Sequence, residues 1–277
     1  MKNLKEIFNL NDKVVVVTGA TGLLGRKHVE AIAAFGGTPV LLDLNQDTLD
    51  KFSKEINREY SINSMPIKVD ITSEEEVSDS CKAILQNLGK IDGLVLNAAN
   101  NPKIEESSTQ DFSRIENFTL DSWEKDISVG LTGSFLCSKY FGTAISKNPN
   151  GGSIVSISSD LGLIGPDQGL YKKEGVPDHL QSVKPVTYSV VKTGLIGLTR
   201  YLATYWADKG VRSNAICPGG VENDQPKDFL KKIEAKIPLA RMAEKDEYQG
   251  VLVWMLSDAS SYLNGAIIPV DGGRTAW

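Results

Sequence analysis

The chain has 277 residues, of which 41% are hydrophobic, enough to bury one large core within a single α/β domain. A net charge of −5 without any basic run argues against nucleic acid or an anionic membrane surface as a partner, and no apolar run reaches the length of a membrane span. Residues 1–8 are too polar for a signal peptide, and Cys81, Cys137 and Cys217 are too far apart for a metal site, so a reducing, cytoplasmic setting is expected.

The first predicted element is a strand over 14–17, four valines in a row, as a strand buried on both faces requires. It runs into Thr18-Gly19-Ala20-Thr21-Gly22-Leu23-Leu24-Gly25, and a helix is predicted over 24–35. Glycines between a strand and a helix permit a tight turn, and the helix N-terminus offers free amides to a pyrophosphate. The next strand, 39–42, ends in Asp43, whose carboxylate can accept both hydroxyls of an adenosine ribose and repels a 2′-phosphate. No Lys or Arg directly follows Asp43, so NAD is expected rather than NADP. Gly19, Thr21, Gly22, Leu24, Gly25 and Asp43 are therefore candidate cofactor residues.

A helix over 46–59 and a strand over 66–69 follow, then Asp70 and Ile71, also candidates at the cofactor. Asp70 can reach the adenine or cap the helix predicted over 74–88. A strand over 93–96 leads into Asn97-Ala98-Ala99. Residues 100–119 are polar and aperiodic, and a long helix is predicted over 120–146. The strand at 153–157 ends in Ser158 and Ser159, which alternation points to opposite faces. Residues 165–185 carry three prolines and mixed charges, and a loop of that length beside a site is expected to cover it.

Tyr188 and Lys192 lie four apart in a helix predicted over 187–208, so they share one face. An ammonium beside a phenol favours the phenolate, which is expected to lower the Tyr188 pKa and equip it for proton transfer. Strands over 212–216 and 266–269, with a helix over 245–256, complete an α/β chain with a parallel sheet covered on both faces. His179 is read equally as a substrate contact or an exposed loop histidine, Cys217 is assigned no chemistry, and Arg241 is expected to be structural.

Taken together these motifs resemble the short-chain dehydrogenase/reductase family nearly end to end. Its glycine-rich turn is matched by Gly19, Gly22 and Gly25, and its Asn-Ala-Gly element by Asn97-Ala98-Ala99. Its catalytic serine resembles Ser159, its Tyr-x-x-x-Lys pair Tyr188 and Lys192, and its Pro-Gly turn Pro218-Gly219-Gly220-Val221. Asp271-Gly272-Gly273 matches an element near the family's C-terminus. The resemblance implies one doubly wound Rossmann domain over 1–277 and a dimer or tetramer. It implies catalysis by Ser159, Tyr188 and Lys192, and cofactor contacts from Asn97, Ala98, Ala99, Tyr188, Lys192, Pro218, Gly219 and Val221.

The chain departs from the family pattern in four places. The glycine spacing differs, Gly130 stands where an asparagine is usual, Asn223 replaces a threonine, and residues 165–185 lengthen the gap between serine and tyrosine. The polar, charged 165–185 segment suits a hydroxylated substrate, so alcohol/ketone interconversion on a sugar, sugar phosphate or nucleotide sugar is expected. Similar chains also include 3-oxoacyl-carrier-protein reductases, and the missing asparagine leaves a non-catalytic dinucleotide sensor as the reading from another class.

Overall fold

The computed structural model describes Leu4, residues 6–100 and residues 113–277, so the readings for 1–8 and 100–119 lie partly outside the described residues. Seven strands form one wholly parallel sheet: β1 (Val14–Thr18), β2 (Thr38–Asp43), β3 (Met65–Lys68), β4 (Gly93–Leu96), β5 (Gly152–Ile157), β6 (Val211–Pro218) and β7 (Ile267–Val270). Their order across the sheet is β3-β2-β1-β4-β5-β6-β7. The order reverses between β1 and β4, and a doubly wound sheet opens its ligand crevice at the carboxyl ends of the strands flanking that point.

The valine run explains why both faces are covered. Val14 and Val16 join Val40, Leu42 and Leu94 in one core, beneath α3 (Glu74–Leu88) and the long helix α4 (residues 120–145). Val15 and Val17 join Leu41, Val95 and Val155 in the other, beneath α1 (Leu23–Ala34) and α2 (Gln46–Tyr60). Successive side chains of a strand point to opposite faces, so one apolar run supplies both layers.

Three predicted helices differ in detail. The run predicted over 120–146 is one helix, but Ser128–Thr132 and Ser138–Gly142 are widened π segments. Ser134 Oγ donates to the Gly130 carbonyl (2.8 Å) and Ser138 Oγ to the Ser134 carbonyl (2.7 Å), giving backbone oxygens there a side-chain partner. The helix over 187–208 is α5 (Val186–Tyr205), starting after Pro185, and a 3-10 turn takes up Ala207–Lys209. Helix α6 (Lys227–Glu234) was not anticipated, although Pro226 before it and Phe229, Leu230 and Ile233 at helical spacing are start and face signals. The last helix, α7 (Gln249–Leu256), begins later than the pattern suggested. No described helix is long and apolar enough to cross a membrane.

Candidate active site

The turn after β1 is built from contacts that only glycine allows. Gly19 has φ +63°, and a Cβ on Gly25 would lie 2.0 Å from the Gly19 carbonyl oxygen. The first turn of α1 is thereby pressed against the strand end. Its N-cap, Gly22, makes no side-chain cap, which leaves the helix-start amides facing the crevice. Asn97 Nδ2 donates to the Thr18 and Gly19 carbonyls (2.9 and 3.1 Å), while Thr18 Oγ1 accepts from the amides of Asn97 and Ala98 (3.0 Å each). These bonds lock the turn to the end of β4.

Asp43 is part of the same brace. Its Oδ2 accepts from Thr21 N (2.9 Å) and Thr21 Oγ1 (2.6 Å), and its Oδ1 from Leu44 N (2.8 Å). Asp70 Oδ1 accepts from Thr72 N (2.9 Å) and Thr72 Oγ1 (2.7 Å). The cap of α3 is Ser73, whose Oγ accepts from Glu76 N, so the capping alternative for Asp70 fails. One cavity of about 650 Å³ is lined by every residue expected at the cofactor or the reacting groups except Gly25, which sits behind Gly19. A glycine-floored turn, an uncapped helix start and a cavity of this size fit a dinucleotide.

At the other end of this cavity the two serines divide. Ser158 Oγ donates to the Lys192 carbonyl (2.7 Å) and is spent on the α5 backbone. Ser159 Oγ donates to Asp160 Oδ1 (2.8 Å) and is close enough to Tyr188 to influence its phenol. Burial raises the Tyr188 pKa above its ordinary value, the Ser159 hydroxyl pulls it down, and the charge of Asp160 raises it. The sequence expectation that Lys192 lowers this pKa is therefore not met in the chain alone, because desolvation is the largest influence. Lys192 Nζ donates to the Ile157 carbonyl (2.8 Å) and lies 5.8 Å from the Tyr188 ring centroid. Burial, then the charge of Lys184, pushes its own pKa down to about 8.

Several site residues were not singled out from sequence. Lys184 Nζ stands 3.7 Å from the Tyr188 ring centroid, nearer than Lys192, and burial pushes it down to about 8 against the pull of Asp160. Asp160 and Arg274 form a buried ion pair (2.6 Å). Asp126 accepts from Asn100 Nδ2 (2.7 Å) and Thr187 Oγ1 (2.5 Å), which ties α4 to the start of α5 just before Tyr188. Proximity of Asp160 to Ser159 and of Arg274 to the Asp-Gly-Gly motif was visible in the chain, but neither motif specified an ion pair between them.

Gly130 lies inside a π segment, where a Cβ would meet Val191 Cγ1 at 2.3 Å, so Val191 fills the space an asparagine would need. Beside it is a second cavity of about 20 Å³, bounded by Asn100, Asp126, Lys184, Tyr188 and Lys192. That is room for about one water with polar neighbours.

Residues 165–185 pack against α6, and Leu170, Tyr171 and Lys184 line the larger cavity. Leu170 packs with Ile233, Ile237 and Met242, and the Tyr171 and Phe229 rings lie 5.7 Å apart. The Gln181 amide bonds the Lys173 amide and the Lys173 and Val176 carbonyls, cross-bracing the segment internally. His179 is exposed and off the cavity, and Arg241 pairs with Glu247 on the surface. Asn223 lines the cavity.

Residues 13–171 match the family described as short chain dehydrogenase, and residues 178–275 match one described as enoyl-(acyl carrier protein) reductase. The chain is 31% identical to a 3-oxoacyl-[acyl-carrier-protein] reductase of Aquifex aeolicus, over 95% of this chain and 98% of that protein. It is 30% identical to a trans-4-hydroxycyclohexanecarboxylate dehydrogenase of Sinomonas cyclohexanicum, over 96% and 93% respectively. A crystal structure of a short-chain type dehydrogenase/reductase from Mycobacterium marinum superposes with TM-score 0.83 at 26% identity, covering 99% of this chain and 100% of that one.

Proposed function

The chain belongs to the short-chain dehydrogenase/reductase family, and on that premise we propose that it interconverts a secondary alcohol and a ketone on a hydroxylated, carbohydrate-like substrate using NAD(H). It is a nicotinamide-dependent oxidoreductase by membership, and the substrate and the choice of NAD are our reading. The observation that carries it is the convergence of Tyr188, Ser159 and Lys192 on the same cavity as the glycine turn.

Bound nicotinamide dinucleotide supplies the hydride acceptor or donor and, when oxidised, a positive charge that favours the Tyr188 phenolate. In the oxidising direction Tyr188 Oη takes the hydroxyl proton of the substrate, and in the reducing direction it returns one. Ser159 Oγ holds the substrate oxygen beside that phenol. Lys192 combines a charge near the phenol with a hold on the cofactor ribose. In our reading, a water in the small void beside Gly130 stands in for the asparagine in the proton path.

Replacing Tyr188 with Phe is expected to abolish turnover while NADH affinity, measured by calorimetry, stays within a few-fold. Lys192→Ala should lose both. A Tyr188→Phe enzyme that still turns over would reject the assignment.

The NAD preference rests on Asp43, held in place by Thr21, with Leu44 rather than a cation following it. NADH should bind at least tenfold more tightly than NADPH, and Asp43→Ala should narrow that ratio. Equal affinities in the unaltered protein would reject the preference. Reduction of 3-oxoacyl groups is the second reading, favoured by the Aquifex aeolicus relative. Asp43 and the charged 165–185 segment count against it. The 165–185 segment, in our reading, roofs the substrate.

A further inference from the structure

We infer that Lys184 is an anion-recognition residue of the substrate pocket, and that the substrate carries a carboxylate or phosphate in addition to the reacting hydroxyl. This rests on the carbohydrate reading above and narrows it.

The argument is one of charge and partners. At the tyrosine end of the two adjoining cavities, three cations, Lys184, Lys192 and Arg274, face two carboxylates, Asp126 and Asp160. Arg274 is used by Asp160, in an ion pair buried on both sides. Asp126 is used by Asn100 and Thr187. Lys192 donates to the Ile157 carbonyl. Lys184 is what remains. Among the described residues its ammonium has no carboxylate or carbonyl partner, only the face of the Tyr188 ring. A partly buried cation with only the longer-range pull of Asp160 loses hydration and recovers little from a ring face, and an anionic oxygen would restore the difference.

The backbone around Lys184 is also set in place. Its amide donates to Gln168 Oε1 (2.8 Å), the preceding Val183 amide donates to Ser113 Oγ (2.9 Å), and Pro185 holds residue 184 extended. A lysine on a braced segment loses less freedom on binding than one on a free loop. Its burial-depressed pKa of about 8 agrees with an ammonium short of partners. In the same cavity, Tyr171, Phe229 and Met242 supply apolar surface suited to a ring or carbon chain. A ligand spanning these features has a hydroxyl at Tyr188 and Ser159, an anion at Lys184, and carbon between.

The test titrates NADH-loaded protein by calorimetry with matched probes: hexonates against hexitols, uronates against their parent aldoses, and aldose phosphates. At least one acidic member should bind about tenfold or more tighter than its neutral partner, the range of one charge-assisted hydrogen bond. Whether carboxylates or phosphates show the gain identifies the anion. Lys184→Met keeps the stem and removes the charge. It should erase the gain while the neutral probes bind as before, and Lys184→Arg should restore part of it.

Neutral members binding as tightly as their acids, or an acid preference that survives Lys184→Met, overturns the anion site and leaves the carbohydrate reading intact. No binding by any member, acid or neutral, with NADH affinity intact, overturns both. If Lys184→Met lowers kcat and moves the pH profile without weakening acid binding, Lys184 tunes the phenol and the proposal falls.

Discussion

At the scale of single residues, the departures from a standard pattern have local physical causes. Gly130 is not simply an absent asparagine, because Val191 occupies its space with a Cγ1 only 2.3 Å from where a Cβ would stand. Gly130→Asn should cost about 1–3 kcal/mol through overpacking, and adding Val191→Ala should recover most of it. Chemical denaturation of the single and double variants measures this, and additive losses would refute the packing explanation. The sequence revealed that Gly130 was unusual but not why, since the reason lies on another helix. His28 is a second case. It is buried with both ring nitrogens unpartnered among the described residues, and burial lowers its pKa to about 4. A folded pKa below the unfolded value of about 6.5 means the native state resists protonation. Its contribution to stability is therefore whole above pH 6.5 and declines as pH falls towards 4, by up to about 3 kcal/mol. His28→Leu removes that group. The urea midpoint of the unaltered protein should fall more steeply with acidification than that of His28→Leu, and parallel pH curves would exclude the effect.

At the scale of elements, what the sequence disclosed depended on whether the signal was local. The strands were legible because a β-branched apolar run has few other fates, and the turn after β1 because strand, glycines and helix are contiguous. The π segments of α4 were not, because a widened turn changes the phase of the pattern without changing its composition. Helix α6 is only eight residues long and sits among turn signals. The resemblance already favoured Ser159 over Ser158, and the structure adds that the backbone of α5 takes the Ser158 hydroxyl. The Tyr188–Lys192 spacing was right about a shared face and wrong about the sign of the shift, because spacing carries no information on burial. The turn itself yields a direct prediction. Gly25→Ala places a methyl 2.0 Å from the Gly19 carbonyl oxygen, so α1 must move away from the turn. NADH affinity should fall at least tenfold and the unfolding midpoint should drop as well, since Gly25 is buried and the clash is with backbone. Fluorescence titration with unchanged affinity would show that this approach does not shape the cofactor cradle.

At the scale of the whole molecule, the crevice is a consequence of topology. Strand ends of β1, β2, β4, β5 and β6 all contribute to one cavity because the sheet order reverses between β1 and β4. The helices on one face leave something over. Phe135 on α4 is 52% exposed, and Tyr201 and Tyr205 on the adjoining α5 are 60% and 59% exposed, with their rings stacked 5.5 Å apart. Large aromatic surfaces on packed helices fit burial against another protein surface. If the dimer or tetramer that the family resemblance implies uses this helix pair, charge placed there will dissociate it. Light scattering at micromolar concentration should return a multiple of the 30.1 kDa chain mass. Because α4 and α5 also carry Gly130, Tyr188 and Lys192, the assembly would stiffen the elements that aim the phenol. Phe135→Glu and Tyr201→Glu, which lie on solvent-facing turns, should shift the mass to that of one chain and lower thermal stability in a concentration-dependent way. A monomeric unaltered protein, or charge variants that keep the oligomer, would place the contact elsewhere and leave these aromatics without a partner.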